Sequence, residues 1–164
     1  MLDLFPANSE SMAEFDYLIV GQGIAGTLLT HFLLKKNKKF LVADLYNPNS
    51  ASSVAAGLFN PVTGRRLVKT WKADSIFPFA EITYQEIEKI LASKLYFRKN
   101  IVKVLSTPEE IELFDLKYTT PEFQGLVFPF SNQETSGCYF SKGFEISMAG
   151  NVDMAQLIAE YRKT

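Results

Sequence analysis

The chain of 164 residues is long enough to bury one hydrophobic core, and its 47% hydrophobic and 21% charged residues are ordinary for a globular protein. Its net charge of −1 gives no general attraction to nucleic acid or acidic membranes, and no apolar run is long enough to span a membrane. The single cysteine, Cys138, excludes an internal disulfide framework and fits a reducing compartment. Residues 1–10 lack the features of a signal peptide, so we expect a cytoplasmic protein with no membrane partner.

After a lead-in of residues 1–13, which we expect to be flexible, the sequence predicts a strand, a glycine turn and a helix. Residues 17–20 are apolar and rich in β-formers, as in a strand that is buried on both faces. Gly21, Gly23 and Gly26 then match the pattern G-x-G-x-x-G. In that pattern the first glycine allows a sharp turn and the second allows a pyrophosphate to approach the backbone. The third allows the helix to pack closely on the strand.

The predicted helix runs from about Ile24 to Lys36, and its apolar side chains cover one half of a helical wheel, namely Ile24, Leu28, Leu29, Phe32 and Leu33. A second apolar strand, residues 40–44, ends in an acid 18 positions after Gly26. A carboxylate at that strand end accepts hydrogen bonds from adenosine ribose hydroxyls and repels a 2′-phosphate. The segment therefore favours FAD or NAD over NADP as the ligand.

Two further segments carry candidate binding residues. Small residues are concentrated in residues 52–57, called the small-residue loop below, and they would allow the backbone to approach a bulky, flat group. An ordinary surface loop is the alternative. Four basic residues then follow within eight positions around Trp71, namely Arg65, Arg66, Lys69 and Lys72. A solvated basic face explains them most simply, and a site for a phosphate or a substrate carboxylate is the functional alternative.

The remainder of the chain is β-rich, and we expect it to form a second sheet in a separate lobe. Pro78 is predicted to start an amphipathic helix whose buried face is Phe79, Thr83, Ile87, Ile90 and Leu91. Strands are predicted at 96–98, 101–105, 125–130 and 138–147, with a polar turn over 131–137. Thr107 begins a capping box with a proline at the first helical position. Residues 151–153 can cap a last helix with the apolar stripe Met154, Leu157, Ile158 and Tyr161.

Taken together, these residues resemble the D-amino-acid oxidase superfamily of FAD enzymes, which includes glycine oxidase and sarcosine oxidase. The resemblance is carried by residues 21–26, by Asp44 and by the small-residue loop, which in the family lines the flavin. More loosely, the later elements follow the order expected for the family's substrate lobe. A strand is followed by Ser-Thr-Pro-Glu-Glu at residues 106–110 and a helix, then by a further strand and residues 151–157. The resemblance covers nearly all of the chain, but only the N-terminal part of such an enzyme. Asp44 stands where the family often has Glu, and Thr30 where Gly or Ala is frequent.

The resemblance implies an α/β fold with an incomplete Rossmann-type FAD-binding βαβ lobe and a β-rich α+β segment of the substrate lobe. Residues 14–78 would form the FAD-binding segment and residues 79–148 the substrate-lobe segment. Residues 149–164 would form a helix that returns to the FAD lobe. The C-terminal half of the family fold is absent from the sequence, and we expect the catalytic residues to lie there.

The resemblance also implies FAD as the cofactor, held by Gly21, Gln22, Gly23, Ile24, Ala25, Gly26, Asp44, Ser52, Ser53, Ala55, Ala56 and Gly57. The enzyme would be an FAD-dependent oxidoreductase acting on the C–N bond of an amino acid or secondary amine. It would transfer a hydride to flavin N5, with hydrolysis of the imine and reoxidation of the flavin by oxygen. Arg65 and Arg66 are the candidates for binding a substrate. No metal site is expected, since His31 and Cys138 are single and far apart in sequence.

Several alternatives stay open. An NAD-dependent dehydrogenase explains the βαβ pattern and Asp44 but leaves the small-residue loop unexplained. A non-catalytic fragment that folds without its cofactor is a second alternative. Within the family, the tRNA wobble-uridine modifying oxidase keeps tRNA open as a partner, and a homo-oligomer is also open. Two strands and one helix would leave apolar side chains uncovered, so we expect the chain alone to bind FAD weakly and to associate.

Overall fold

The structure, a computed structural model, describes residues 14–135 and 138–164, without the side chains of residues 131–141. It is a mixed α/β fold with four helices and several small sheets within those residues. The chain divides into two compact units, Met1–Asn47 and Pro48–Thr164. Residues 48–78 and the last helix therefore belong to the same unit as the β-rich part of the chain.

The first unit is built from two strands and one helix, as the sequence predicts. These elements are β1 (Tyr17–Val20), α1 (Ile24–Lys35) and β2 (Phe40–Ala43). The two strands are parallel neighbours, with Leu18 opposite Leu41 and Val20 opposite Ala43. Parallel strands need a crossover connection, and α1 provides it. The carboxyl ends of both strands consequently lie at the same edge of this small sheet.

The buried face of α1 differs from the predicted one. Leu33 is buried, but Leu29 is 48% exposed, and the other buried side chains of the helix are Thr27, Thr30 and His31. Gly26 lies beside this face, and a Cβ there would lie only 2.0 Å from the carbonyl oxygen of Gly21, so no larger residue fits at that position. Burial of Thr30 is tolerated because its hydroxyl donates to the carbonyl of Gly26, at 2.8 Å.

The second unit consists of short strands and three helices. Its elements are β3 (Leu58–Phe59), β4 (Val62–Thr63), β5 (Val68–Lys69), α2 (Ala73–Leu91), β6 (Tyr96–Arg98), β7 (Ile101–Val104), α3 (Pro108–Lys117), β8 (Val127–Thr135), β9 (Cys138–Ile146), β10 (Gly150–Val152) and α4 (Met154–Tyr161). Among the described residues of this unit, all strand pairs are antiparallel. The strand orders of its sheets are β3-β10-β6, β4-β5 and β7-β9-β8.

Two predicted boundaries in this unit are wrong. The polar turn predicted over 131–137 is a strand over residues 131–135, because backbone pairing with β9 continues from Ser131 opposite Lys142 to Thr135 opposite Cys138. The helix predicted to start at Pro78 begins at Ala73, with the proline inside it. Pro78 is the sixth residue of α2 and has no N–H, so one hydrogen bond inside the helix is missing, yet the helix continues to Leu91.

The hydrophobic core of the second unit contains α3, two strands of the β7-β9-β8 sheet and the β4–β5 hairpin. Phe114 of α3 stacks on Phe144 of β9, with ring centroids 4.4 Å apart. The other buried members are Val62, Leu67, Leu105, Phe123, Leu126, Val127 and Ile146. The predicted stripe of α4 is buried in full. On α2, Thr83 and Ile87 of the predicted face are buried, whereas Phe79 and Ile90 are exposed.

Candidate cofactor site

The glycine turn, residues 21–23, joins β1 to α1 at the carboxyl end of the parallel pair. Gly21 has a φ of +92°, which L side chains rarely adopt, and its N–H donates to the carbonyl of Ala43 at 2.9 Å. A side chain at Gly26 would collide with the backbone of the turn, so the helix starts unusually close to it. This is the geometry that the sequence predicts for the first and third glycines of the motif.

The N-terminus of α1 is open to an anionic group. Gly23 is its N-cap, no side chain caps it, and no acid lies in the first turn. The positive end of the helix dipole is therefore not offset by a nearby carboxylate within the first turn. The backbone angles of Gly23, φ −73° and ψ −164°, are open to any residue. A glycine is consequently needed there only if something approaches the backbone closely.

Asp44 follows β2 directly, is exposed and bonds to the glycine turn. One carboxylate oxygen, Oδ1, accepts a hydrogen bond from the backbone N–H of Gln22 at 2.9 Å. The sequence placed Asp44 at the end of the second strand but missed this bond. The signal was available, because the carboxyl ends of two parallel neighbours lie side by side. In open α/β sheets, ligands bind outside such carboxyl ends.

The small-residue loop lies in the second unit and is anchored at both ends. At its start, Ser53 lies within 2.8 Å of Ser50 through their hydroxyl oxygens. At its end, a Cβ on Gly57 would lie 2.0 Å from the carbonyl oxygen of Val152, while the Val152 N–H donates to the Gly57 carbonyl at 3.0 Å. The sequence did not show that Gly57 has this internal packing role, which links it to β10.

The middle of the small-residue loop is available to a ligand. Val54 is 65% exposed, and Ala55 and Ala56 are exposed as well. Within the described residues, no hydrogen bond engages the backbone N–H groups of Ala55 and Ala56. Exposed backbone with small side chains can accept a flat group, whereas Gly57 is already explained by the packing on β10.

The four basic residues around Trp71 have different surroundings. Lys69 forms an ion pair with Asp74 at 2.8 Å, and the ammonium group of Lys72 lies 4.6 Å from the ring centroid of Trp71. Arg65 and Arg66 are exposed in the turn between β4 and β5. In the part of the chain that the structure describes, neither guanidinium group has an ion-pair partner.

The turn that carries the two arginines is held in place from α3. The ammonium group of Lys117 donates to the carbonyl of Leu67, at 3.1 Å, and to the carbonyl of Arg66. Leu67 itself has a φ of +48° and is buried in the core. The two arginine side chains therefore project from an anchored backbone.

The remaining chemical candidates do not form a site. His31 is 1% exposed and meets the ring of Phe32 edge-on at 5.5 Å, which indicates a packing role. The Cys138 side chain lies outside the described residues. Among the described residues, no group of three or more His, Cys, Asp or Glu is placed to hold a metal ion. No helix in the same residues has the length and apolar character that crossing a membrane requires.

No family model matches the sequence, but solved structures match the fold. Glycine oxidase from Bacillus cereus ATCC 14579 matches with a TM-score of 0.68 and 17% identity, over 92% of this chain and 44% of that chain. L-amino acid deaminase from Proteus myxofaciens, in complex with anthranilate, matches with a TM-score of 0.65 and 15% identity, over 92% and 36%. L-α-glycerophosphate oxidase from Mycoplasma pneumoniae, with FAD bound, gives 0.55 and 17%, over 92% and 42%.

This chain has the fold of one part of these enzymes. The resemblance that the sequence suggests is thereby supported as a likeness of fold to glycine oxidase and L-amino acid deaminase. The chain spans less than half the length of each of the three solved structures. At identities of 15–17% the likeness concerns the fold, so the activity, the substrate and the cofactor have to be argued from the residues.

Proposed function

We propose that this chain is the N-terminal part of an FAD-dependent oxidoreductase that oxidises the C–N bond of an amino acid or secondary amine. One observation carries the proposal. The glycine turn, an uncapped helix N-terminus and Asp44 meet at the carboxyl ends of β1 and β2. They do so in a chain with the fold of glycine oxidase and L-amino acid deaminase.

The first unit fits the adenosine diphosphate part of FAD. Gly21, Gln22, Gly23, Ile24, Ala25 and Gly26 would hold the pyrophosphate on the N-terminus of α1, which has no acid in its first turn. Asp44 would accept hydrogen bonds from the ribose hydroxyls. In our proposal, the first unit is therefore the dinucleotide-binding part of a Rossmann-type lobe. We expect Asp44→Ala to weaken FAD binding by about 1–3 kcal/mol, the usual effect of losing charge-assisted hydrogen bonds.

The small-residue loop would contact the flavin. Its candidate contacts are Ser52, Ser53, Ala55, Ala56 and Gly57, and the exposed backbone at the two alanines supports the assignment. When bound, FAD supplies the hydride acceptor of the reaction. The contribution of this chain is to bind and orient the cofactor, and we assign no proton transfer to any of its residues.

Arg65 and Arg66 would bind the carboxylate of an amino-acid substrate, because their backbone is anchored by Lys117 and their guanidinium groups face solvent. In the longer enzyme that contains this chain, Arg65→Lys and Arg66→Lys should raise KM, since an ammonium group cannot replace a bidentate guanidinium. Lys103→Arg, on β7, makes the reverse exchange of Lys and Arg outside the candidate site and should leave KM unchanged. An activity that instead falls steeply with salt would favour tRNA as the substrate.

A titration of the ¹⁵N-labelled chain with FAD, followed through its amide resonances, tests the cofactor assignment even if binding is weak. FAD should shift the amides of residues 21–26 and of the small-residue loop. NAD carries the same adenosine diphosphate and should shift only the first group. Equal shifts of the first group by both ligands, with none in the loop, would favour an NAD-dependent dehydrogenase. No shift with either ligand would favour the non-catalytic fragment.

Gly23→Val gives the matched mutational test. Valine can adopt the backbone angles of Gly23, so the variant should fold, while its side chain would block the approach of a pyrophosphate. The shifts at residues 21–26 should disappear. Ala155→Val places the same side chain at an exposed position of α4 and should leave them unchanged. Normal FAD binding by Gly23→Val would contradict the site.

A further inference from the structure

In the glycine turn, the backbone N–H and the carbonyl of Gln22 are both hydrogen-bonded by side chains from other elements. The N–H of Gln22 donates to Asp44 Oδ1 at 2.9 Å, and the carbonyl of Gln22 accepts from the hydroxyl of Thr27 at 3.5 Å. Thr27 is fully buried in α1, whereas Asp44 is exposed after β2. Gln22 is thus fixed between the helix and the second strand in the free protein.

The turn needs such fixing because Gln22 lies between two glycines. Gly21 and Gly23 have no Cβ, and ordering the backbone of one residue costs about 1–2 kcal/mol, with glycine at the upper end. If the turn were mobile, only a fraction of molecules would present the ordered N-terminus of α1 to a ligand. The apparent affinity falls by that fraction. A contact that orders the turn beforehand therefore strengthens the binding of any ligand that uses it.

We propose that Asp44 is a positioning residue that sets the glycine turn for pyrophosphate binding, in addition to any contact with a ribose. The inference rests on the proposed dinucleotide site and deepens it. Gln22 immediately precedes Gly23, the N-cap of α1, so a bond to its N–H controls where the helix begins. The two oxygens of a carboxylate offer about four acceptor sites, so the bond to Gln22 does not by itself exclude a contact with a ribose.

Inorganic pyrophosphate separates the two roles because it has no ribose. If Asp44 acts only on the ribose, Asp44→Ala removes a negative charge from the neighbourhood of an anion, and pyrophosphate should bind equally well or more tightly. If Asp44 sets the turn, the same substitution should weaken pyrophosphate binding. The two roles therefore predict opposite signs for one measurement.

The experiment titrates inorganic pyrophosphate into the wild-type chain, Asp44→Ala, Asp44→Asn and Asp16→Ala, and follows the amides of residues 21–26. It also measures hydrogen exchange at the Gln22 N–H without ligand. Asp16→Ala is a matched control, because Asp16 Oδ2 accepts from the N–H of Lys39 at 3.0 Å, before β2 instead of after it. Asn keeps an oxygen that can accept from Gln22 but carries no charge.

In Asp44→Ala we expect the dissociation constant of pyrophosphate to rise about 5-fold and the exchange at Gln22 to accelerate by a similar factor, as for one lost hydrogen bond. Asp44→Asn should restore both, while its FAD affinity stays below that of the wild type. Asp16→Ala should change neither. Circular dichroism of all variants checks that they fold.

Two results would overturn the proposal, and they are distinguishable. If the wild-type chain binds pyrophosphate and Asp44→Ala binds it equally or more tightly, Asp44 does not position the turn, and the dinucleotide site itself stands. If the wild-type chain shows no shift at residues 21–26 with pyrophosphate or FAD, the site fails and the inference fails with it.

Discussion

The two units of the chain bury their sheets to different extents. In the second unit, Phe144 and Ile146 of β9 are buried to 1% exposure or less, and Phe114 of α3 stacks on the first of them. In the first unit, α1 provides the crossover connection, while Leu18, Val20 and Leu41 are 62%, 81% and 48% exposed. The registers place these three side chains on one face of the parallel pair. Parallel sheets are normally covered on both faces.

The packing of the chain and its candidate cofactor site are thus concentrated in different units. The second unit has a closed hydrophobic core. The first unit carries the candidate cofactor site on two strands and one helix, and two-stranded sheets are marginal without further packing. Substitutions in the core of the second unit should therefore affect stability more than substitutions on the exposed face of the first unit.

The largest effect should come from the core of the second unit. Phe144→Ala removes a fully buried ring that stacks on Phe114, and we expect a loss of about 3–5 kcal/mol in the free energy of unfolding. Urea unfolding followed by circular dichroism measures it. Phe128→Ala, on the neighbouring β8 at 51% exposure, is the control and should cost far less. Equal losses in both variants would contradict the assignment of the core.

The second effect concerns Gly57, where collision and backbone strain can be separated. Gly57→Ala places a Cβ 2.0 Å from the Val152 carbonyl oxygen at a φ of +65°. Gly64→Ala has a similar φ of +72° but no atom within 4 Å of the new Cβ. Both carry left-handed strain, so Gly57→Ala should cost about 1–3 kcal/mol more in unfolding free energy. Equal costs would mean that β10 can move away from the loop.

A third effect concerns the carboxylate of Glu88, whose Oε1 accepts from the N–H groups of Leu95 and Tyr96, both at 2.7 Å. Burial raises the pKa of Glu88, but the two N–H groups and Lys94 outweigh it and hold the pKa below its ordinary value. A lowered folded-state pKa stabilises the fold above the unfolded-state pKa, and this stabilisation is lost as pH falls through the folded-state value.

Glu88→Gln should therefore lower the free energy of unfolding by about 1 kcal/mol at neutral pH and by less in acid. Urea unfolding at neutral and acidic pH measures both values. Glu112→Gln is the control for the charge change, since Glu112 is exposed on α3. A loss that is the same at both pH values would show that the charge of Glu88 is not involved. Asp44 in the first unit likewise accepts from a backbone N–H, that of Gln22, but its side chain is exposed.

The smallest effect on stability, and the most direct test of the open face, comes from Leu18 and Val20. The double variant Leu18→Lys, Val20→Lys should change the free energy of unfolding little, because both side chains are exposed. We expect the wild-type chain to elute in sizing above its mass of 18.5 kDa and the double variant to elute as a monomer. Leu116→Lys, at 69% exposure on α3, should not change the elution of the wild type. A monomeric wild-type chain would contradict this prediction.

The sequence by itself determined the local features of this protein. It predicted β1, α1 and β6 nearly residue for residue, because apolar runs and helical periodicity depend on neighbouring positions. It predicted the capping box, in which Thr107 Oγ1 accepts from the Glu110 N–H at 3.3 Å. It predicted a cap within residues 151–153, and Asp153 provides it by accepting from the Gln156 N–H at 2.9 Å. Each cap joins residues only three positions apart.

The tertiary structure alone decided which helix faces are buried and which distant residues meet. The buried face of α1 includes Thr27 and Thr30 while Leu29 is exposed, and Gly26 beside this face packs closely on the glycine turn. The short strands β3 and β10 escaped prediction, since they are defined by pairing with partners far along the chain. The bonds from Gln22 to Asp44 and from Val152 to Gly57 join residues 22 and 95 positions apart. The first bond follows from the sequence only once β1 and β2 are placed side by side, and no local pattern predicts the second, because it forms only when the second unit packs.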